Sequence, residues 1–208
     1  MNEIHKLAEY LKELPGIGPR QAKRLAYYLV RRSDDFPFKL SESIKNARAN
    51  TVACARCTRL YTKSKGSMCD ICSGTRDGLL MIIPSDIDLD HIEKSGAYHG
   101  YYFVLGGTVP ILEREPEKRV RITKLISLIE SKIYPELSEI ILAFNANPEG
   151  DNTVDFLKER LSSLAGKMEI KISTLARGLS TGSELEYTDK NTIDNALKYR
   201  IEEKEDFI

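Results

Sequence analysis

The sequence lacks any run of residues that could cross a membrane. Its longest uncharged stretch, residues 95–112, holds four glycines and a proline, a composition typical of a strand with flanking turns. The first residues include Glu3 and no apolar core of a signal peptide, so we expect a cytoplasmic protein with reduced thiols. The P-loop pattern G-x-x-x-x-G-K-[ST] is also missing, so the sequence gives no reason to propose ATP hydrolysis.

The chain also lacks net charge, because 31 Lys and Arg balance 31 Asp and Glu. This total hides an asymmetry: residues 1–65 carry 14 cations against 6 acids, and residues 66–208 carry 17 against 25. A basic front joined to an acidic remainder indicates a polyanion-binding end, although two solvated faces would give the same totals. The three histidines, His5, His91 and His99, are isolated, which is typical of surface or packing residues.

A glycine-containing turn between two amphipathic helices lies near the N-terminus. Apolar residues repeat at helical spacing before the turn (Ile4, Leu7, Ala8, Leu11) and after it (Ala22, Leu25, Ala26, Leu29). Gly16 and Gly18 allow a tight turn, and Pro19 suits the first position of the second helix. The pattern therefore predicts a helix, a glycine hairpin and a second helix.

The same stretch combines features that bind phosphate. A helix N-terminus behind bare glycine amides attracts anions, and Arg20, Lys23 and Arg24 lie just inside the second helix at helical spacing. The unit resembles the helix-hairpin-helix motif of DNA-binding proteins, which implies binding of the phosphate backbone without base reading. We therefore predict that Gly16, Gly18, Arg20, Lys23 and Arg24 bind DNA. An ordinary turn between two helices with a glycine cap is the alternative.

All four cysteines fall in two Cys-x2-Cys pairs, Cys54 with Cys57 and Cys69 with Cys72, with eleven residues between the pairs. Two such pairs supply the four thiolates of one tetrahedral structural zinc ion. Disulfides are the rival interpretation, which the expected cytoplasmic location disfavours. A catalytic zinc is disfavoured because four cysteines leave no open coordination position. We predict one structural Zn²⁺ per chain.

From Gly78 onward the pattern alternates between strands and helices. The predicted strands are residues 79–83, 101–105, 139–144 and 167–175. The predicted helices are residues 86–95, 117–133, 151–165 and 191–203, preceded by a helix that Ser41 caps and that runs to about residue 50. This alternation predicts an α/β fold with a mainly parallel sheet and flanking helices.

The segment after the third predicted strand resembles the Toprim domain of topoisomerases, primases and some nucleases. In that domain a strand ends in Asp-x-Asp, Glu-Gly-Glu follows, and the acids hold magnesium for phosphoryl transfer. Here Asn145 and Asn147 stand at the two aspartate positions. The positions that correspond to the Toprim metal site, here called the degenerate Toprim site, are Pro84 (at the place of the first glutamate), Asp88, Asn145, Asn147, Glu149 and Asp151. Because neutral amides are much weaker Mg²⁺ ligands than carboxylates, the resemblance implies the fold without its metal site.

The order of these parts closely resembles the RecR family of bacterial recombination mediators over nearly the whole chain. The loop at residues 176–187 adds to the resemblance, although Ser180 and Ser183-Glu184 replace the family's usual Pro and Gly-Asp. The resemblance implies a non-enzymatic DNA-repair protein that forms ring-shaped tetramers. It also implies that, with RecO-like and RecF-like partners, the protein helps RecA replace single-strand-binding protein on gapped DNA.

These inferences divide the chain into four regions. They are a helix-hairpin-helix DNA-binding region (1–52), a four-cysteine zinc motif (53–75), a Toprim-like α/β domain (76–175), and a C-terminal loop and helix with an expected role in assembly (176–208). Two other functions stay open from the sequence. One is a Toprim-type metal-dependent nuclease, against which Asn145, Asn147 and Pro84 argue. The other is a zinc-containing RNA-binding module, because phosphate binding alone does not separate DNA from RNA.

Overall fold

The computed structural model describes residues 2–63, 66–175, 179, 186, 188 and 190–198. The chain divides between Val52 and Ala53 into two compact units. Most of the loop at residues 177–187 lies outside the described residues, as does the end of the last predicted helix beyond residue 198.

The first unit is built from three helices, α1 (Glu3–Lys12), α2 (Pro19–Arg31) and α3 (Phe36–Asn50). The predicted helix, turn and helix are present as α1 and α2. Ala8 of α1 and Ala22 and Ala26 of α2 are buried, so small side chains allow the two helices to pack closely. None of the residues of α3 is buried.

The start of α3 corrects the prediction that Ser41 caps this helix. The helix begins at Phe36, and Pro37 lies in its first turn. A proline is tolerated there because the first backbone N–H groups of a helix have no partner within the helix. Ser41 therefore lies inside α3 and does not cap it.

The second unit begins with short elements around the cysteines and continues as a parallel sheet. The short elements are β1 (Thr51–Ala53), whose last residue is the first of this unit, β2 (Leu60–Thr62) and α4 (Asp70–Ser73). The sheet strands are β3 (Asp77–Ile83), β4 (Gly100–Val104), β5 (Glu139–Leu142) and β6 (Lys171–Thr174), in the order β4-β3-β5-β6 and all parallel. The remaining helices are α5 (Asp86–Ser95), α6 (Pro116–Arg119), α7 (Ile122–Glu130), α8 (Pro148–Met168) and α9 (Lys190–Lys198).

The central strand β3 is apolar on both faces, as a parallel strand covered on both sides must be. Leu80 and Ile82 point into a core that includes residues of β4, β5, α7 and α8. Met81 and Ile83 point into a second core that includes α5 residue Leu89 and the four cysteines. The predicted α/β fold with a parallel sheet and flanking helices is confirmed, and the cysteines belong to the hydrophobic core of this unit.

Three predicted boundaries in this unit are wrong. The helix predicted over 117–133 is interrupted at Val120, whose extended backbone places its side chain in the core and separates α6 from α7. Helix α8 begins at Pro148, three residues early, because Asn147 caps it and proline suits its first turn. It continues to Met168 and ends where Glu169 adopts a left-handed conformation, so the following strand is shorter than predicted.

In the described part of the chain, no helix combines the length and the apolar character that a bilayer crossing requires.

Candidate metal centre and nucleic-acid interface

The four cysteine sulfurs lie together in the second unit. The Sγ atoms of Cys54, Cys57, Cys69 and Cys72 are all within 4.8 Å of one another, and all four residues are buried. The Sγ atoms of Cys57 and Cys69 are 3.6 Å apart. Two sulfurs on a tetrahedral zinc with Zn–S bonds of about 2.3 Å would be separated by about 3.8 Å, whereas a disulfide bond measures about 2.05 Å. The spacing is compatible with zinc.

Backbone geometry shapes the first cysteine pair into a tight knuckle. The N–H of Thr58 donates to the Cys54 carbonyl (3.1 Å), and the N–H of Cys54 donates to the Arg59 carbonyl (2.8 Å). Thr58 has a φ of 62°, the left-handed region that a β-branched residue rarely adopts. The N–H of Cys69 points at the Cys54 sulfur (3.4 Å), a contact that favours the thiolate form.

The knuckle is fastened to the edge strand β4. The Thr58 hydroxyl donates to the Val104 carbonyl (2.6 Å), and the Val104 N–H donates to the Cys57 carbonyl (2.8 Å). Thr58 is buried, so its hydroxyl needs this partner. These contacts hold the left-handed turn, and no local sequence pattern predicts them because the joined residues are 46 and 47 positions apart.

A half-buried arginine joins the two cysteine pairs. Arg56 donates from Nη1 to the Cys72 carbonyl (3.0 Å), and its guanidinium lies 5.2 Å from the ring centroid of Tyr101. The Tyr134 hydroxyl donates to the Arg56 carbonyl (3.0 Å). Burial raises the pKa of Tyr134 above its ordinary range, so this hydroxyl stays a neutral donor.

Four sulfurs this close cannot all ionise without a cation among them. The sulfurs hydrogen-bond to one another, and the largest effect is between Cys54 and Cys57. It lowers the pKa of the Cys54 thiol and raises the pKa of the Cys57 thiol. A divalent metal ion removes that conflict because it stabilises all four thiolates together. The residues present therefore fit one metal ion with no protein ligand missing.

In the first unit, the hairpin exposes the N-terminus of α2. Gly16 has a φ of 77°, a left-handed conformation that glycine adopts without strain. Gly18 precedes the helix in an extended conformation, with no side chain capping the helix and open space where a Cβ would lie. The first N–H groups of α2 are therefore open to an anion.

The structure places the three predicted DNA-binding cations together on α2. Arg20, Lys23 and Arg24 line one groove of about 840 Å³, and all three are exposed. Among the described residues, no acidic side chain forms an ion pair with any of the three. This end of α2 therefore combines an uncapped helix terminus with three unpaired cations, as phosphate binding requires.

The degenerate Toprim site lies at the carboxyl ends of β3 and β5, which are neighbours in the sheet. Asn147 uses its side-chain oxygen as the cap of α8, where it accepts a hydrogen bond from the Gly150 N–H (2.7 Å). Asn145 is exposed, and its carbonyl oxygen lies so close to Gly150 that a Cβ there would be 2.0 Å away. The two residues shape the start of α8.

The acidic residues of the degenerate Toprim site lie in the first turns of helices α5 and α8. Asp88 closes a capping box at the start of α5, where its carboxylate accepts from the Ser85 N–H (3.1 Å) and hydroxyl (2.5 Å). Glu149 and Asp151 lie in the first turn of α8, and the buried Pro84 ends β3. Among the described residues, the cysteines are the one group of three or more His, Cys, Asp or Glu that could hold a metal.

The loop after β4 is attached to α8 by residues that sequence patterns did not single out. The buried Thr153 hydroxyl accepts from the Val109 N–H (2.8 Å) and donates to the Glu149 carbonyl (2.7 Å). Asn152 donates from Nδ2 to the Val109 carbonyl (2.9 Å). In the sequence, the one hint of a role for Asn152 and Thr153 is that they directly follow Glu149-Gly150-Asp151.

Family models match three segments of the chain. The model described as RecR, helix-hairpin-helix matches residues 4–48, the Toprim domain model matches residues 78–176, and the model described as RecR, C-terminal matches residues 178–201. The first two cover the hairpin of α1 and α2 and the parallel sheet.

Proteins named Recombination protein RecR are similar to this chain over nearly their whole length. The protein from Bdellovibrio bacteriovorus is 34% identical, over 97% of this chain and 98% of the relative. The protein from Phenylobacterium zucineum is 36% identical over 95% of each chain. The protein from Dehalococcoides mccartyi is 34% identical, over 95% of this chain and 93% of the relative. The chain belongs to the RecR family of recombination proteins.

Proposed function

We propose that this recombination repair protein is a non-enzymatic, cytoplasmic DNA-binding assembly factor. It binds the phosphate backbone of gapped, single-stranded or double-stranded DNA through Gly16, Gly18, Arg20, Lys23 and Arg24. With RecO-like and RecF-like proteins, it promotes loading of RecA on gapped single-stranded DNA. The partner assignment comes from family membership, and the DNA assignment has support in the first unit itself.

The observation that carries this proposal is the N-terminal end of α2. Three exposed cations, an uncapped helix terminus and a left-handed Gly16 occur within nine residues, and α2 has no acidic residue in its first turn. Such a site attracts phosphate by charge and by backbone N–H groups without reading bases. It explains why the hairpin needs both glycines and cations.

A ring of several copies is the proposed working form. The helices of the first unit line an apolar groove of about 570 Å³ with Leu7, Leu11, Leu29, Val30, Phe38 and Ile44. Phe38 is 79% exposed and Ile44 is 61% exposed, so α3 presents apolar side chains to solvent in a single chain. A second copy would bury them, and the C-terminal region 176–208 would supply a further contact. Repetition of one weak DNA site around a ring raises affinity through effective concentration.

A structural zinc and an inactive Toprim-like domain complete the proposal. One Zn²⁺ per chain is assigned to Cys54, Cys57, Cys69 and Cys72, where it supports the fold of region 53–75. The domain at 76–175 serves as a scaffold, because Asn145 and Asn147 supply no negative charge for a catalytic metal.

The experiment that tests the proposal measures DNA binding by full-length variants. Lys23→Ala with Arg24→Ala should weaken binding to gapped DNA and leave zinc content and oligomer mass unchanged. Lys158→Ala with Lys167→Ala removes two exposed cations from α8 and serves as the matched control for charge loss. Equal weakening by both double variants would contradict the assignment. Tighter binding of matched RNA than of DNA would favour the RNA-binding alternative instead.

A further inference from the structure

The cationic face of α2 continues past the three predicted DNA-binding residues and becomes aromatic. Arg20, Lys23, Arg24, Tyr27, Tyr28 and Arg31 follow the spacing i, i+3, i+4, i+7, i+8, i+11, which places them on one helix face. They line the same groove of about 840 Å³. Eleven residues of helix span about 16 Å, the length of roughly five stacked nucleotides at 3.4 Å each.

The two tyrosine rings are presented to solvent. Tyr27 is 39% exposed and Tyr28 is 53% exposed, whereas Ala22 and Ala26 of the same helix are buried. The buried residues of α2 are Ala22 and Ala26, and neither tyrosine is among them. Folding of the chain does not explain why two adjacent tyrosines are exposed on an otherwise polar helix face.

Tyr28 is held in a fixed orientation by an ion pair at the end of the helix. Arg32 donates from Nη1 to the Tyr28 hydroxyl (2.7 Å) and from Nε to Asp34 (2.7 Å). The Arg32 guanidinium also lies 4.4 Å from the ring centroid of Phe36. The hydrogen bond from Arg32 to Asp34 holds the pKa of the Asp34 carboxyl below its ordinary value, so the Arg32–Asp34 pair stays charged. An oriented ring loses little freedom when a ligand covers it.

The charge of the groove identifies the kind of partner. Helix α2 contains no acidic residue along its whole length, and five of the seven residues that line the groove are cations. Arg31 lies 5.6 Å from the ring centroid of Tyr27. An apolar protein segment would leave these cations without partners, whereas a polyanion with flat aromatic groups satisfies both cations and rings. Bases of a duplex are stacked on each other and offer no free face, but unpaired bases do.

We propose that Tyr27 and Tyr28 are a stacking surface for unpaired bases, so that this face of α2 prefers single-stranded DNA. The cations at the helix start bind the phosphates, and the tyrosines one and two turns later bind the bases of the same strand. This inference rests on the proposed DNA-binding function, which it extends from phosphate contact to strand selection.

The test compares two single-stranded probes with wild-type full-length protein. One is an oligothymidylate, and the other has the same number of phosphates but abasic sugars throughout. Stacking of one or two bases should make the oligothymidylate bind about tenfold to a hundredfold more tightly. Equal binding of the two probes to wild-type protein would overturn the proposal, and this arm needs no substitution.

A pair of variants assigns the difference to the rings. Tyr27→Leu with Tyr28→Leu keeps an apolar side chain and a good helix former at each position but removes the aromatic faces, so binding of the oligothymidylate should fall to the level of the abasic strand. Tyr27→Phe keeps the aromatic face and leaves the hydrogen bond from Arg32 to the Tyr28 hydroxyl in place, so it should bind as wild type does. Duplex affinity should be the same for all three proteins. Unchanged single-strand binding by the leucine variant, or an equal loss on duplex, would contradict the proposal.

The same measurements separate this inference from the function on which it rests. If stacking alone is wrong, Lys23→Ala with Arg24→Ala still weakens binding of every probe, and the leucine variant behaves as wild type. If the phosphate site itself is wrong, the alanine variant binds every probe as wild type does.

Discussion

The side-chain oxygen of Asn147 accepts a hydrogen bond of 2.7 Å from the backbone N–H of Gly150. This contact caps α8 at the position where a Toprim domain carries a metal-binding aspartate. The Asn147 side-chain oxygen is used for capping the helix, and its neutral amide lacks the negative charge with which proteins bind Mg²⁺. In this chain, the turn of the Toprim motif therefore forms the start of helix α8.

We expect no cleavage of DNA by this protein with Mg²⁺ or Mn²⁺. Neither Asn145 nor Asn147 provides negative charge, and Asp88 is engaged in the capping box of α5. The measurement is an incubation of purified protein with supercoiled and gapped DNA in each metal, followed by gel analysis. Cleavage that disappears on Glu149→Ala would show that the remaining acids still form an active site.

The close approach of Asn145 to Gly150 predicts opposite effects for two glycine substitutions in α8. A Cβ at Gly150 would lie 2.0 Å from the Asn145 backbone oxygen, and both atoms are fixed by backbone. Gly150→Ala should lower the free energy of unfolding by about 3 kcal/mol. Gly166 has no atom within 4 Å of its Cβ position, so Gly166→Ala in the same helix should raise it by up to about 1 kcal/mol.

Urea unfolding of the two variants measures both effects. The sign difference is the critical result, since both changes add one methyl group to one helix. A Gly150→Ala protein as stable as wild type would mean that the turn at Asn145 is free to move.

The cysteine cluster predicts one zinc per chain. Cys57→Ser removes one thiolate from a buried set of four, so zinc content should fall and residues 53–73 should exchange their amide hydrogens faster. Metal analysis combined with hydrogen exchange checks both parts, and chelation of the wild type should reproduce the variant. Wild-type protein with well under one zinc per chain, and no loss during purification, would contradict the assignment.

A salt bridge beside the cysteine loop predicts a pH-dependent part of the stability. Arg76 binds the Ile71 carbonyl (3.1 Å) and both carboxylate oxygens of Glu93. The hydrogen bond from Arg76 lowers the pKa of Glu93, so its stabilising effect is present above the unfolded-state pKa and is lost as pH falls through the lower folded-state value. Glu93→Gln should cost about 2 kcal/mol at pH 7.

The cost of Glu93→Gln should shrink as the pH of the unfolding measurement falls below the ordinary glutamate pKa of about 4.3, because the unfolded wild-type protein then gains a proton that the folded protein resists. A difference that stays constant with pH would mean that the pair contributes packing and little charge interaction.

The sequence predicted the elements whose signal is local and missed those that depend on distant contacts. The Cys-x2-Cys pairs indicated four clustered sulfurs because each pair fixes its own spacing. The hairpin was predictable because glycine, proline and cations coincide there. By contrast, Val120 has a helical pattern around it, and only its place in the core shows why the helix breaks.

The same difference between local patterns and distant contacts applies to the residues of the candidate sites. The degenerate Toprim site was recognisable from its order of residues, but the role of Asn147 as a helix cap required the geometry of Gly150. Thr58 and Arg56 carry no motif, and their importance comes from contacts with Val104 and Cys72. Tyr27 and Tyr28 fit the helical period, but only their exposure separates a ligand surface from a packing face.

The central claim is that the start of α2 binds DNA phosphates, and a salt titration tests it most directly. Affinity for gapped DNA should be measured from 50 to 200 mM salt for wild type and for Lys23→Ala with Arg24→Ala. Each lost phosphate contact reduces the slope of log affinity against log salt by about 0.7 to 0.9. We predict weaker binding by the variant and a slope that is flatter by about 1.5 per chain. Equal affinities and equal slopes would show that the hairpin is structural and that DNA binds elsewhere.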